Sequence, residues 1–277
     1  MPRRVQRLDV ELVRRGLARS REHAVELIEA GRVEVRGVQA RKPASGVDAC
    51  APVRVRADDG DPGYASRGGF KLAGALDAFP DIVVAGRRCL DAGASTGGFT
   101  DVLLRAGAAS VVAVDVGYGQ LAWAIRSDPR VHVLDRTNVR NLTPDQIGGP
   151  VDLVVADLSF ISLRLVLPAL VACATPAADL LPMVKPQFEV GRERLGSGGV
   201  VRDPQLRAAA VIEVARSARE LGWHPRGVVR SSLPGPSGNV EFFLWLRRQS
   251  ASVIDDTIAV IDDDTIATVV TTSAEAQ

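Results

Sequence analysis

At 277 residues, 46% hydrophobic and 24% charged, the chain is long enough for one large domain and one small one, each with its own core. Its three cysteines (Cys50, Cys89, Cys173) have no CxxC spacing and its three histidines (His23, His132, His224) are scattered, so neither a disulfide framework nor a metal site is expected. The N-terminal MPRRVQRLDVELVRRG is charged without an apolar signal-peptide run, and no later segment reads as a membrane span, so a reduced, cytoplasmic protein with no membrane partner is expected.

The first predicted elements form a basic module. Leu8, Leu12 and Val13 suit a short helix ending near Gly16, and Ser20 reads as the N-cap of a second helix with Ala24, Leu27 and Ile28 on its apolar face. Gly31 stops that helix, and VEVRGVQA alternates as a hairpin around Gly37. The net charge of +1 hides an asymmetry: arginines crowd residues 1–56, whereas the segment after Arg248 has Asp and Glu but no Lys or Arg. A basic module with an anionic partner, balanced by an acidic tail, is the reading. RLD followed by SREHAVELIEAGRVEVRG resembles the S4 RNA-binding domain. That resemblance implies docking on structured RNA through Arg4, Arg7, Arg19, Arg21 and Lys42, reading shape through phosphates and sensitive to salt.

Beyond the polar stretch DDGDPGY, with a boundary near residues 59–65, apolar strands alternate with helices. CLDAGAS, SVVAVDVG, VHVLD, VDLVVADLS and DLLPMVKP read as five strands, a long helix covers 203–221, and GVVRSS and VEFFLWLRR supply two more strands. Strands spaced by helices predict a doubly wound, mostly parallel α/β sheet with its ligand at the carboxyl ends of the strands. In DAGASTGGFT, a strand runs into Gly93, Gly97 and Gly98 at a helix start, where backbone can approach a ligand closely. The spacing departs from GxGxxG, with Ser95 where the second glycine would stand, and Asp115 ends the next strand about twenty residues on, suited to two ribose hydroxyls. These residues alone point to an adenosine-containing cofactor, with a nicotinamide dinucleotide still open.

The pattern D-x-G-x-x-x-G-G resembles motif I of the class I (Rossmann-like) S-adenosylmethionine methyltransferases. The resemblance implies that cofactor, held by Asp91, Gly93, Ala94, Ser95, Gly97, Gly98, Phe99, Asp115 and Asp157, with Asn138 or the nearby Asp135 on the adenine side.

Charged residues recur at the tips of buried strands: Asp157 in ADLSF, Lys185 in MVKPQFE and Glu241 in GNVEFFLW, with Lys71 on the helix of SRGGFKL. Unpaired burial there would be costly, so a polar cluster over the cofactor is expected. The order Lys71, Asp157, Lys185, Glu241 resembles the K-D-K-E catalytic tetrad of FtsJ-type RNA 2′-O-methyltransferases. A ribose hydroxyl is a poor nucleophile and a sulfonium methyl a good electrophile, so alignment and help with one proton suffice. Two roles stay open for Lys185, accepting the hydroxyl proton or orienting the hydroxyl, with Asp157 beside it and Lys71 and Glu241 completing the network.

An S4-like module together with SRGGFKL, DAGASTGGFT, ADLSFIS, VKPQFEVG and GPSGNVEFFLWL resembles the TlyA-type rRNA methyltransferases, also called haemolysins, as far as Arg248. The resemblance implies 2′-O-methylation of cytidines of 16S and 23S rRNA in 30S and 50S subunits, and sensitivity to capreomycin. A catalytically inactive ribosome-assembly factor is the alternative, and a membrane-lytic protein lacks an amphipathic basic helix to support it. Two stretches depart from the family: Pro62-Gly63-Tyr64-Ala65 stands where mycobacterial relatives have Arg-x-Trp-Val, and VIDDTIA recurs as VIDDDTIA in the tail. The expected organisation is an S4-like domain over 1–60, a linker over 61–66, an FtsJ-like domain over 67–248 and a mobile acidic tail over 249–277. A sharper idea for the tail is that it mimics RNA phosphate over the S4 surface.

Overall fold

The computed structural model describes residues 5–18, 21–56, 62–235, 237–248 and 259–273. Arg4, Arg19 and the expected cap Ser20 lie outside the described residues. The chain divides into two units, Met1–Gly63 and Tyr64–Gln277.

The first unit runs β1 (Val5–Arg7), α1 (Leu8–Arg14), α2 (Arg21–Glu29), β2 (Val33–Val35), β3 (Val38–Gln39), β4 (Gly46–Asp48) and β5 (Val53–Val55). Leu8, Leu12, Ala24, Leu27 and Ile28 meet from the two helices in one small core, as their helical spacing predicts. The β2–β3 hairpin pairs Val35 with Val38, and the two residues between them, Arg36 (φ 54°) and Gly37 (φ 78°), both take positive φ. That is the tight turn whose twist matches the strands.

The second unit runs α3 (Gly68–Ala78), β6 (Arg88–Ala92), α4 (Gly98–Arg105), β7 (Ser110–Val114), α5 (Trp123–Arg126), β8 (Val131–Leu134), β9 (Val151–Ala156), α6 (Leu163–Ala172), β10 (Ala174–Val184), α7 (Pro186–Glu189), α8 (Pro204–Glu220), β11 (Trp223–Arg230), β12 (Phe242–Arg248) and α9 (Asp263–Thr272). Its seven strands lie in the order β11-β12-β10-β9-β6-β7-β8. β12 is antiparallel to both neighbours, and the β10/β9, β9/β6, β6/β7 and β7/β8 pairs are parallel. Strand alternation sends Leu90, Val154 and Phe242 to one face, under α6, α8 and α9, and Cys89, Leu153 and Phe243 to the other, under α3 and α4. From β6 the chain steps outward through β7 and β8 and then returns to β9 on the other side of β6, so the carboxyl ends of β6 and β9 flank the crevice where such sheets take ligands.

Two boundaries differ from expectation. Tyr64–Ser66, expected in the linker, belong to the second unit: Ala65 N donates to Asp101 Oδ2 (2.8 Å), and Tyr64 meets Phe70 edge-on at 5.3 Å. An aromatic ring and a buried carboxylate acceptor anchor what composition reads as linker. The tail also departs, because residues 259–273 are ordered and carry α9. Ile266 and Val270 are fully buried, Asp262 caps the helix through Thr265 N (2.8 Å), and Asp263 pairs with Arg219 (2.6 Å) and Arg216 (3.0 Å). The two apolar residues, four apart, give the acidic segment a face to bury against α8.

Candidate active site

The loop after β6 is shaped by close approach. At Gly93 (φ 90°) a Cβ would stand 2.3 Å from the Asp157 carbonyl oxygen, and at Gly97 (φ 95°) it would meet Leu121 at 2.9 Å, so only glycine lets the loop lie this flat. Asp115, just past β7, accepts from Ser95 N at 2.8 Å and from Gly117 N at 2.7 Å, one bond on each oxygen. Lone pairs remain on both oxygens for a ligand's hydroxyls. Gly93, Ser95 and Asp115 line a cleft of about 440 Å³ together with Gln120, Asn138 and Asp157. Ala94 and Phe99 pack into the apolar layer beneath the loop, Phe99 at 5.9 Å from Phe243.

Asp91 is fully buried, and its Oδ2 accepts from Thr100 Oγ1 at 2.6 Å. Its Oδ1 has no partner among the described residues, and burial pushes the carboxyl up to about 7. A buried acceptor left open beside a glycine turn is what a bound cationic cofactor would complete, so the residues present fit S-adenosylmethionine. On the adenine side the two candidates separate. Asp135 is held by Arg126 (3.0 Å), whereas Asn138 lines the cleft while its Oδ1 caps the short turn through Arg140 N (3.0 Å).

The four charged residues form two ion pairs. Asp157 and Lys185 each stand one residue past the adjacent parallel strands β9 and β10, with Nζ to Oδ1 at 2.5 Å and Nζ to Ser159 Oγ at 3.2 Å. Lys71, on α3, reaches Glu241 Oε2 at 2.5 Å. Val184 pairs with Phe242 across β10 and β12, so the next step of that register brings Lys185 opposite Glu241. Pairing is what makes such burial tolerable, with Glu241 1% and Lys185 9% exposed at the side chain. Glu241 Oε1 is buried without a partner among the described residues, and a Cβ at Gly235 would sit 2.6 Å from it.

A second cleft of about 660 Å³ lies beside the first, lined by Ser159, Lys185, Gln187, Phe188, Asn239 and Glu241. The two clefts share Ser159, Phe160 and Ile161 as a common wall. Asp157 opens on the first cleft and Lys185 on the second, so their ion pair bridges a cofactor-sized space and a nucleoside-sized one. Several residues at this wall were not foreseen in the sequence. Phe160 is 92% exposed at φ 63°, 5.3 Å from Phe188, and an exposed aromatic at strained backbone marks a contact surface. Asn239, 4% exposed, holds the glycine-rich wall by accepting from Val201 N and donating to Gly199 O, both 3.0 Å.

In the first unit, Arg7 forks onto Asp9 (3.0 and 2.8 Å) and Arg21 reaches the same carboxylate at 3.1 Å. Asp9 is 1% exposed, and the Arg7 guanidinium holds it well below the usual carboxylate range. Lys42 is exposed. Arg14 and Arg15 share Glu11, which Arg14 above all lowers to about 2. Arg15 is turned inward to the Ala51 and Asp48 carbonyls, a structural use of a residue in the basic cluster. Among the described residues no helix is long and apolar enough to cross a membrane, and no cluster of three His, Cys, Asp or Glu is placed to hold a metal.

A seven-stranded sheet with a glycine turn after its first central strand, an acid at the tip of the second and a charged tetrad at the rim defines a methyltransferase of the Rossmann-like class. Residues 64–248 match the FtsJ-like methyltransferase family and residues 6–53 match the S4 domain. The chain is 66% identical over 244 residues, 88% of its own length and 90% of the relative's, to the 16S/23S rRNA (cytidine-2′-O)-methyltransferase TlyA of Mycobacterium tuberculosis. It is 33% identical to Hemolysin A of Brachyspira hyodysenteriae, covering 85% of this chain and 97% of that one. A solved structure from Streptococcus thermophilus carrying a hemolysin name superposes with a TM-score of 0.76 at 36% identity, covering 98% of this chain and 96% of that one. The chain belongs to the TlyA family of FtsJ-like methyltransferases, and it is an enzyme of that family.

Proposed function

We propose that the protein transfers a methyl group from S-adenosylmethionine to the 2′-hydroxyl of cytidine in 16S and 23S rRNA, acting on 30S and 50S subunits in the cytoplasm. The observation that carries this reading is the Asp157–Lys185 pair, which joins the glycine-turn cleft to a second cleft large enough for a nucleoside. The name of the M. tuberculosis relative supports the rRNA substrate and the cytidine.

The cofactor, when bound, supplies a methyl already activated by its sulfonium. The Gly93 turn, Asn138 and Asp115, itself oriented by Ser95 N–H, would hold and orient it, with the open Asp91 Oδ1 as an acceptor beneath. Lys185, fixed by Asp157 and Ser159, steers the ribose hydroxyl, and the Asp157–Lys185 pair receives its proton as the oxygen attacks. Lys71 and Glu241 shape the far wall and hold the ribose. The Phe160 ring, beside Phe188, gives an unstacked base a face to lie on. Asp9-oriented arginines of the S4 unit grip RNA phosphates. Capreomycin sensitivity is the cellular consequence this reading carries.

Transfer of labelled methyl to unmodified 30S and 50S subunits, comparing wild type with Lys185→Ala, tests it. Label in rRNA with wild type alone supports the reading, and none with either protein overturns it.

A further inference from the structure

Glu189 is the last residue of α7, 8% exposed, and the tetrad does not use it. Its Oε2 accepts from Ser162 Oγ at 2.6 Å and its Oε1 from Leu163 N at 2.7 Å, with Arg164 Nε 3.6 Å away. It therefore caps the N-terminus of α6 from 26 residues downstream, although Ser162 already caps it locally through Arg164 N at 3.3 Å. Ser162 leaves Leu163 N to be met from elsewhere, and a buried carboxylate is a costly acceptor for it, because burial opposes the charge and holds the Glu189 pKa above its ordinary value.

What the bond joins explains the cost. On one side, residues 157–162 carry Asp157, Ser159 and Phe160 between the end of β9 and the start of α6. On the other, residues 185–189 form a single turn that starts at Lys185, has Pro186 at its first position, and is closed by Phe188 N to Lys185 O at 2.8 Å. Three functional contacts cross this gap: Asp157–Lys185 at 2.5 Å, Ser159–Lys185 at 3.2 Å and Phe160–Phe188 at 5.3 Å. Glu189 closes the same gap from behind, with two short bonds to the rigid start of a ten-residue helix.

We propose that Glu189 is a positioning residue for methyl transfer: its clasp on Ser162 and Leu163 fixes the two loops so that Lys185 and Asp157 meet across the wall between the clefts. The inference rests on the function proposed above. Because displacing a catalytic group by about 1 Å costs on the order of 10²-fold in rate, loosening the clasp acts on kcat. The cofactor turn and Asp115 are held by bonds of their own, so kcat falls further than cofactor affinity although residues 157–161 line the same cleft.

The test compares Glu189→Ala, Glu189→Gln and Ser162→Ala with wild type, using labelled S-adenosylmethionine and unmodified subunits. Glu189→Ala is expected to lower kcat about 10²-fold with KM for cofactor and for subunits within about threefold. Gln keeps an acceptor for Leu163 N and an amide that can donate to Ser162 Oγ, so Glu189→Gln should restore kcat to within about tenfold of wild type. Ser162→Ala removes one limb and is expected to fall between them, which keeps the inference open to test if Glu189→Ala does not fold. A kcat near wild type in Glu189→Ala, with only a lowered melting temperature, would overturn the positioning role. So would equal loss in Gln and Ala, or loss of cofactor affinity in step with kcat. Wild-type activity in the same assay separates these failures from failure of the underlying function, which would leave wild type inactive as well.

Discussion

Lys185 Nζ lies 2.5 Å from Asp157 Oδ1, and the two side chains open on different clefts that share one wall. A single ion pair thus has one end at the glycine turn and the other at the cavity that also contains Glu241. For Lys185→Ala the expected result is a kcat at least about 10³-fold lower, with cofactor affinity within a few-fold, because Lys185 lines only the second cleft. Asp157→Ala should weaken both rate and cofactor binding, since Asp157 lines the first cleft and its loss leaves a buried ammonium unpaired. Single-turnover rates and calorimetric titration of cofactor separate the two outcomes. Equal cofactor affinities in the two variants would show that the division between clefts is not functional.

Asp91 makes a prediction with a definite sign in pH. Its carboxyl is pushed from 3.8 up to about 7 by burial, so between those values the folded state retains a proton that the unfolded state has lost. Stability of the ligand-free protein should therefore fall as pH rises from about 4 to about 7 and then level off. At about 1.4 kcal/mol per unit, the shift amounts to about 4 kcal/mol at most. Asp91→Asn removes this contribution and should be more stable than wild type at pH 8 in the ligand-free state, while binding S-adenosylmethionine more weakly. Melting temperatures across pH, with and without cofactor, check both halves. A variant less stable than wild type at pH 8 would contradict the account.

Much of this site was legible because its residues sit where periodicity ends. Asp91, Asp115, Asp157 and Lys185 each follow or close an apolar run, and alternation fixes which strand tip carries them. What stayed hidden depends on distance in sequence. Nothing near Glu189 signals that it caps a helix 26 residues upstream, and nothing near Phe160 signals its 92% exposure. Nor does the sequence near Asp135 and Asn138 signal that Arg126 reaches the acid while the amide lines the cleft. Composition misled at Tyr64 and in the acidic tail, because one aromatic ring or two buried aliphatic residues suffice to dock a polar segment.

In the S4 unit, Arg7 and Arg21 share the buried carboxylate of Asp9. Asp9→Asn adds one positive charge to the unit, which by charge alone would tighten RNA binding. The arrangement predicts the opposite, because a neutral amide cannot hold two guanidinium groups in one orientation. Affinity for unmodified subunits near physiological salt should fall roughly tenfold, about 1.4 kcal/mol, measured by filter binding. Tighter binding at every salt concentration would reduce Asp9 to a source of unfavourable charge.

The docked C-terminal helix gives the last prediction. Two described acids of the tail are engaged within the second unit: Asp262 caps its own helix through Thr265, and Asp263, against the opposing effect of burial, is held below the usual carboxylate range by Arg219 and Arg216. Arg230 donates to Ser273 O, and Ile261 N bonds Pro225 O at 3.0 Å on the edge strand β11. Truncation after residue 258 would expose the surface that Ile266 and Val270 cover, each worth about 1.5–3 kcal/mol when fully buried. For a unit of this size the melting temperature should drop by roughly 6–24 °C, at about 2–4 °C per kcal/mol. RNA affinity at low salt should stay within about twofold, since Asp263, held by these arginines, and Asp262, bonded to Thr265, are not free to mimic phosphate over the S4 surface. Tighter RNA binding by the truncated protein, with an unchanged melting temperature, would restore the mimicry and show that the helix contributes little to the fold.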